Sequence, residues 1–159
     1  MINLEITGQD KLLARLREVG DSTIRRNILE DIGSYAVSST QNRFIEEQDP
    51  DGKDWNASYR SENEGGQILR DSNILFQSLT YDASSNHVSW GSNIIYAAIH
   101  QFGGDILPKN GGKLKFKIGG HFITANKVTI PARPYMGVND ADEAEFMNII
   151  EDHVGEILQ

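Results

Sequence analysis

Cysteine is absent from the 159 residues, which excludes a disulfide scaffold and a thiolate metal site and suits a reducing cytoplasm. No apolar run approaches the ~20 residues of a membrane span, and no signal-peptide core is visible. The sequence therefore predicts a soluble chain with no membrane partner and no ordinary route of export. His87, His100, His121 and His153 never fall at a His-x-x-x-His spacing, which argues against zinc. Phosphate loops are missing as well. Neither Gly52-Lys53 nor Gly112-Lys113 has the earlier Gly or the following Ser or Thr that would cradle a phosphate and hold Mg²⁺. Gly91-Ser92-Asn93 lacks the flanking glycines of a nucleophile elbow. No catalytic residue and no cofactor is predicted, and the chain reads as a binding protein.

What is present is an uneven charge. The net charge of -8 opposes a general nucleic-acid coat, because affinity for phosphate backbones comes from Lys and Arg. From Ile106 to Pro134, however, the chain carries Lys109, Lys113, Lys115, Lys117, Lys127 and Arg133 and no acid. From Tyr135 to Gln159 it carries Asp140, Asp142, Glu143, Glu145, Glu151, Asp152 and Glu156 and no Lys or Arg. A basic block abuts an acidic one.

Length favours one domain, residues 1–159. Ile2-Asn3-Leu4-Glu5-Ile6 alternates as a half-buried strand does, and Gly8 ends it. Asp10 opens a short helix with Leu12, Leu13, Leu16 and Val19 on one side, closed by Gly20. A second helix starts at Asp21 or Ser22, stripes Ile24, Ile28, Ile32, Tyr35 and Ala36, and runs to about Glu47. At 1.5 Å per residue that is some ~40 Å, long enough that part should project or bend near Gly33. Asn56 to Gly66 is polar and predicts a mobile loop near 56–67, after which Ser72 caps a short helix with Ile74, Leu75 and Leu79. Thr80 to Asp82 and His87 to Trp90 predict one hairpin, and a helix follows from about Asn93 to Phe102. Lys113 to Ile118 and Phe122 to Thr124, across Gly119-Gly120, predict a second, basic hairpin near 113–124 with its lysines in water. Asn139 or Asp140 caps a last helix with Phe146, Ile149, Ile150, Val154, Ile157 and Leu158 on its apolar stripe. The fold class is α+β, with a small antiparallel sheet of the hairpins and the first strand packed on the long helix and the C-terminal helix.

Several residues invite two readings. Glu47, Asp49, Asp51 and Gly52 occupy calcium-loop positions 1, 3, 5 and 6, but position 12 is Ser58 and Pro50 stiffens the loop, so a helix-ending turn is the better reading. His100, on a short apolar helix, reads as a histidine hydrogen-bonded to backbone. His153 sits in the last helix's apolar stripe, facing either a core partner or an interface. Pro131-Ala132-Arg133-Pro134 reads as a rigid brace, with Arg133 a fixed cation for an internal carboxylate or a neighbouring subunit. Trp55 and Tyr135 should anchor the turn and the brace in the core.

Three segments carry a resemblance. They are Arg43-Phe44 with Gln48-Asp49-Pro50-Asp51-Gly52-Lys53-Asp54-Trp55; Tyr96-Ala97-Ala98-Ile99-His100-Gln101-Phe102-Gly103-Gly104; and Ile130-Pro131-Ala132-Arg133-Pro134-Tyr135. In this order the pattern resembles the phage virion morphogenesis family, the tail-completion proteins of Mu-like and other contractile-tailed phages. Asn73 departs from it, standing where the family often has Gly. The resemblance implies a structural protein of virion assembly, phage- or prophage-encoded, that completes the tail and joins it to the head. It implies as partners the tail tube, head-neck proteins and further copies of itself in a hexameric ring, in the virion and, during assembly, the host cytoplasm. Lys113, Lys115, Lys117 and Arg133 facing Glu143, Glu145 and Glu151 of a neighbour would join such copies, and head-to-tail contacts of this kind close into rings. The lysine row reads equally as a solvated face, and transient contact with genomic DNA is a third use. The alternatives are a nucleic-acid-binding module of the neck, or a phage-associated hydrolase, for which no converging carboxylates or histidines are visible.

Overall fold

The long helix α2 (Ser22–Glu46) is the axis of the molecule. The computed structural model describes residues 10–157, so the strand expected at Ile2 to Ile6 lies outside the described residues. Asp21 caps α2, its carboxylate accepting from the amides of Thr23 at 2.7 Å and Ile24 at 3.3 Å, and these bonds hold its pKa below the usual carboxylate range. The helix ends at Glu47, whose φ of 59° turns the chain into the Asp49 to Gly52 turn. The projection expected of part of this helix does not occur. The helix is continuous, and its buried residues run from Ile28 to Phe44 across two cores.

The first core gathers Ile28, Leu29, Ile32 and Ala36 of α2 with Leu16 and Val19, at and just beyond the end of α1 (Asp10–Glu18), and Phe146 and Ile150 of α6 (Asp140–Ile157). The hairpin of β1 (Thr80–Ala83) and β2 (Val88–Gly91), paired Thr80 to Gly91 through Ala83 to Val88, lies over α2. Gly33 makes that approach possible, because a Cβ there would stand 2.5 Å from the Tyr81 ring. The second core surrounds Phe44, which is fully buried and meets the rings of Trp55 at 5.5 Å, Tyr135 at 5.0 Å and Phe76 at 6.0 Å.

Over this second core run α3 (Tyr59–Asn63), α4 (Ile74–Gln77) and α5 (Ala97–Phe102). The segment expected as a mobile loop thus contains a helical turn, closed by a reciprocal cap between Ser58 and Ser61. Ser72 is not the cap of α4. Asn73 precedes that helix at φ 59° without a side-chain cap bond, a left-handed conformation that Gly and Asn tolerate best. The helix expected from Asn93 begins only at Ala97, because residues 94 to 97 form a turn closed by Ala97 N to Ile94 O at 3.0 Å.

The α+β class holds, but the strands form three separate two-stranded ladders rather than one sheet. Besides β1 and β2, β4 (Leu114–Ile118) pairs with β5 (His121–Ala125) across Gly119-Gly120, and β3 (Gly104–Ile106) pairs with β6 (Val128–Ile130). The last pair was not foreseen. It is a stem from whose open end the whole basic arm grows.

Candidate functional site

The three motif segments converge on one strap, residues 131–139, that has no regular structure of its own. Gln101 of α5 clamps it from one side. Its Oε1 accepts from the amides of Tyr135 and Met136, each at 2.9 Å, and its Nε2 donates to Met136 O at 3.1 Å, which satisfies a buried amide completely enough to fix the strap's register. The Tyr135 hydroxyl donates to Ala97 O at 3.0 Å, and burial pushes its pKa up to about 12. Gly103, at φ 70°, lets the strap pass: a Cβ would stand 2.7 Å from Ala132 N. The turn segment grips from the other side, where Trp55 Nε1 donates to Pro134 O at 2.8 Å and Asn139 Nδ2 to Pro50 O at 2.9 Å. Trp55 and Tyr135 are therefore the core anchors expected.

The third grip was not legible in the sequence. Arg43 and Asp142 form a buried ion pair at 2.5 Å, their side chains 6% and 4% exposed. Arg43 Nη1 also donates to the carbonyls of Tyr135 and Gly137, and Asp142 accepts from Ser39 Oγ and from Asn139 N. Asn139 Oδ1 accepts from Asp142 N at 2.9 Å, so the cap of α6 and the buried pair are one network. The advance signal was Arg43's place in the first motif segment, which gave no partner for it. An open groove of about 640 Å³ lies over this network, lined among others by Glu46, Asp49, Asp51 and Asp140. Asp49 is already engaged, accepting from the amides of Asp51 and Lys53, and Glu47 accepts from Ile68 N. That is the chemistry of a turn.

The charged residues separate into two groups. Lys113, just before β4, and Lys115 and Lys117 on it stand exposed, and Glu143 and Glu151 are exposed on α6 with Glu145 half-exposed. The structure does not bring the two sets together within one chain, since α6 packs on α1 and α2. Arg133 is buried, only 6% exposed, and binds the backbone carbonyls of Asn56 at 2.7 Å and Ala57 at 3.1 Å rather than an internal carboxylate. His100 corrects its expectation too. Its backbone carbonyl accepts from Arg133 N at 2.8 Å, but its Nδ1 is buried without a partner, and the ring lies edge-on to Tyr96 at 5.9 Å. His153 meets Asp31 at 2.7 Å on a half-exposed edge. Pro131 and Pro134 are the half-buried ends of the brace.

Fold and site define a scaffold built on a clamped strap, with charged groups on its surface; among the described residues no group of three metal-ligating side chains is brought together. The chain belongs to the phage virion morphogenesis family, whose sequence profile it matches over residues 4–155. It is 33% identical over 155 residues to the "Putative capsid assembly protein G" of Escherichia phage Mu, an alignment covering 91% of this chain and 88% of the phage protein. It is 29% identical over 154 residues to the "Mu-like prophage FluMu G protein 2" of Haemophilus influenzae, covering 96% of each. No solved structure matches it at a significant level. Its role is structural, in phage assembly, and the family is one of morphogenesis proteins rather than of enzymes. No helix among the described residues is long and apolar enough to cross a membrane.

Proposed function

We propose that the protein completes the phage tail and joins it to the head, as one subunit of a homo-oligomeric ring that docks on the tail tube and the neck proteins. It works by binding, in the virion and, during assembly, in the host cytoplasm. The observation that carries this reading is the arm formed by β4 and β5. None of its residues belongs to either core cluster, and Phe122 on it is 85% exposed. Leu114, Phe116 and Ile118 share one face with Ile123 and Ala125, while the lysines share the other with Phe122 and Thr124. A two-stranded hairpin is marginal in water, so an amphipathic arm standing off its own cores gains stability when a neighbour covers it. The acidic α6 of an adjacent copy is a complementary surface for Lys113, Lys115 and Lys117.

Exposed ion pairs contribute only about 0–1 kcal/mol each, so assembly in solution should be weak and should fall with added salt. Replacing the three lysines by Glu is expected to leave the melting temperature unchanged and to abolish ring formation, seen by sedimentation and by negative-stain images of mixtures with tail tubes. Reversing Glu143, Glu145 and Glu151 to Lys in the same chain should restore rings. If lysine-reversed protein still builds rings, the arm does not form the junction; if only DNA retention suffers, the arm lines the genome's path instead.

A further inference from the structure

Arg133 is a full positive charge buried without a counter-charge among the described residues. Nε and Nη2 are bound to the carbonyls of Asn56 and Ala57, while Nη1 makes no hydrogen bond to a described residue. Carbonyl dipoles offset only part of the cost of desolvating a guanidinium, which a carboxylate would offset far better. The residue lines an open pocket of about 350 Å³ between α3, α4 and α5, together with His100, Tyr96, Ser58 and Arg60. His100 brings a ring whose Nδ1 is buried without a partner among the described residues. Burial first, and the charge of Arg133 second, hold its imidazole below the usual range, which favours the uncharged ring. Arg60 crosses Gly66, where a Cβ would overlap its guanidinium, and is tethered to Gln67 O. Its pairing with Asp71 is loose, 3.7 Å, with the Asp71 side chain 83% exposed. Two guanidinium groups and an imidazole thus line a small space whose one carboxylate, Asp71, pairs loosely with Arg60 and makes no ion pair with Arg133 among the described residues.

We propose that this pocket receives a glutamate or aspartate side chain from the acidic α6 of a second copy, and that this contact locks the junction between subunits. The inference rests on the self-association put forward above and names its anchoring residue. Charge selects the occupant. Glu143, Glu151, Asp152 and Glu156 are exposed on a helix without Lys or Arg, and none is paired with a cation among the described residues. In its own chain α6 is packed along α1 and α2, so the entering acid comes from another copy. The pocket also adjoins the basic arm: at the tip, Gly119 lies so close to Tyr59, next to Ser58 of the pocket, that a Cβ would stand 2.7 Å from its hydroxyl. The tip of the lysine-bearing arm therefore lies against α3, whose Arg60 lines the pocket. Duplex DNA fits poorly, since it is held by rows of cations on many phosphates rather than by one sunken guanidinium with Asp71 at the rim.

The test follows the His100 ring protons by NMR in the full-length protein. Sodium acetate at constant ionic strength should shift them saturably and raise the His100 pKa, whereas chloride should not. Concentrating the protein until it self-associates should produce the same shift. Arg133→Gln should abolish both and weaken self-association about tenfold or more, while Arg60→Gln, which leaves the Asn56 and Ala57 carbonyls held, should weaken both without lowering the melting temperature. Asp71→Asn should leave acetate binding intact; if acetate binds only after that change, Asp71 is the internal counter-ion and the proposal fails. Self-association without acetate or concentration shifts at His100 overturns the pocket and leaves the ring. Acetate binding in a chain that stays monomeric at every concentration overturns the ring and, with it, a second copy as occupant. A shift given by a DNA duplex and not by acetate makes this a phosphate site, which also overturns the proposal.

Discussion

The residues on which the fold turns are polar, and their roles are set by partners far away in sequence. Arg43 and Asp142 are 99 positions apart and fully inside, where removing one member leaves an uncompensated buried charge. Arg43→Met and Asp142→Asn should each cost about 3–5 kcal/mol in urea unfolding, and the double change Arg43→Met/Asp142→Leu should cost clearly less than their sum. Additive losses would mean that the two charges do not compensate each other. Gln101, His100 and Arg133 could be picked out from the chain as members of a motif, but not what they do. A glutamine that reads two amides and a carbonyl of a passing strap has the same one-letter signature as a surface glutamine, and an Arg that takes backbone carbonyls instead of a carboxylate leaves no trace in spacing.

Elements were more legible than the contacts between them. The capping residues Asp21 and Asn139, the Gly119-Gly120 turn and the alternation of β4 announce themselves because the physics is local. The pairing of β3 with β6 was hidden. Three-residue strands separated by more than twenty residues have no local signal, and only the closing of the chain around the arm makes them partners. Gly33 was illegible for a related reason: the glycine is there for a neighbour, since a Cβ would strike the Tyr81 ring. Gly33→Ala would gain about 1 kcal/mol of helix propensity and lose more by driving a methyl into the Tyr81 ring. A net destabilisation of about 1–3 kcal/mol is expected in urea unfolding, recovered largely by Gly33→Ala/Tyr81→Ala. A more stable single variant would show that the β1–β2 hairpin is not seated on the helix.

At the scale of the molecule, two cores strung on α2 leave the charge to the outside, basic on the arm and acidic on α6. The family resemblance could be read from the strap and its clamps because those positions serve the chain's own folding. The charge blocks were equally visible, but what they meet was not, since a surface that serves another molecule leaves only half its record in one sequence.

The stem made by β3 and β6 has a further consequence. Ile106 faces Val128 at its open end, so everything from Leu107 to Lys127 enters and leaves the body through one pair of neighbouring residues. The arm is in effect a cassette on that stem, touching the body again where Gly119 of its tip meets Tyr59, so its length and charge can be exchanged wherever that contact is kept. Joining Ile106 to Val128 through Asn-Gly, the two-residue turn that suits an antiparallel pair, should give a protein that melts as the parent does and no longer assembles. A collapse of the melting temperature would show that the arm is a folding element after all. If it is a cassette, related phages can retune which neighbour they accept by swapping a single exchangeable finger, while the clamped strap beneath it stays as it is.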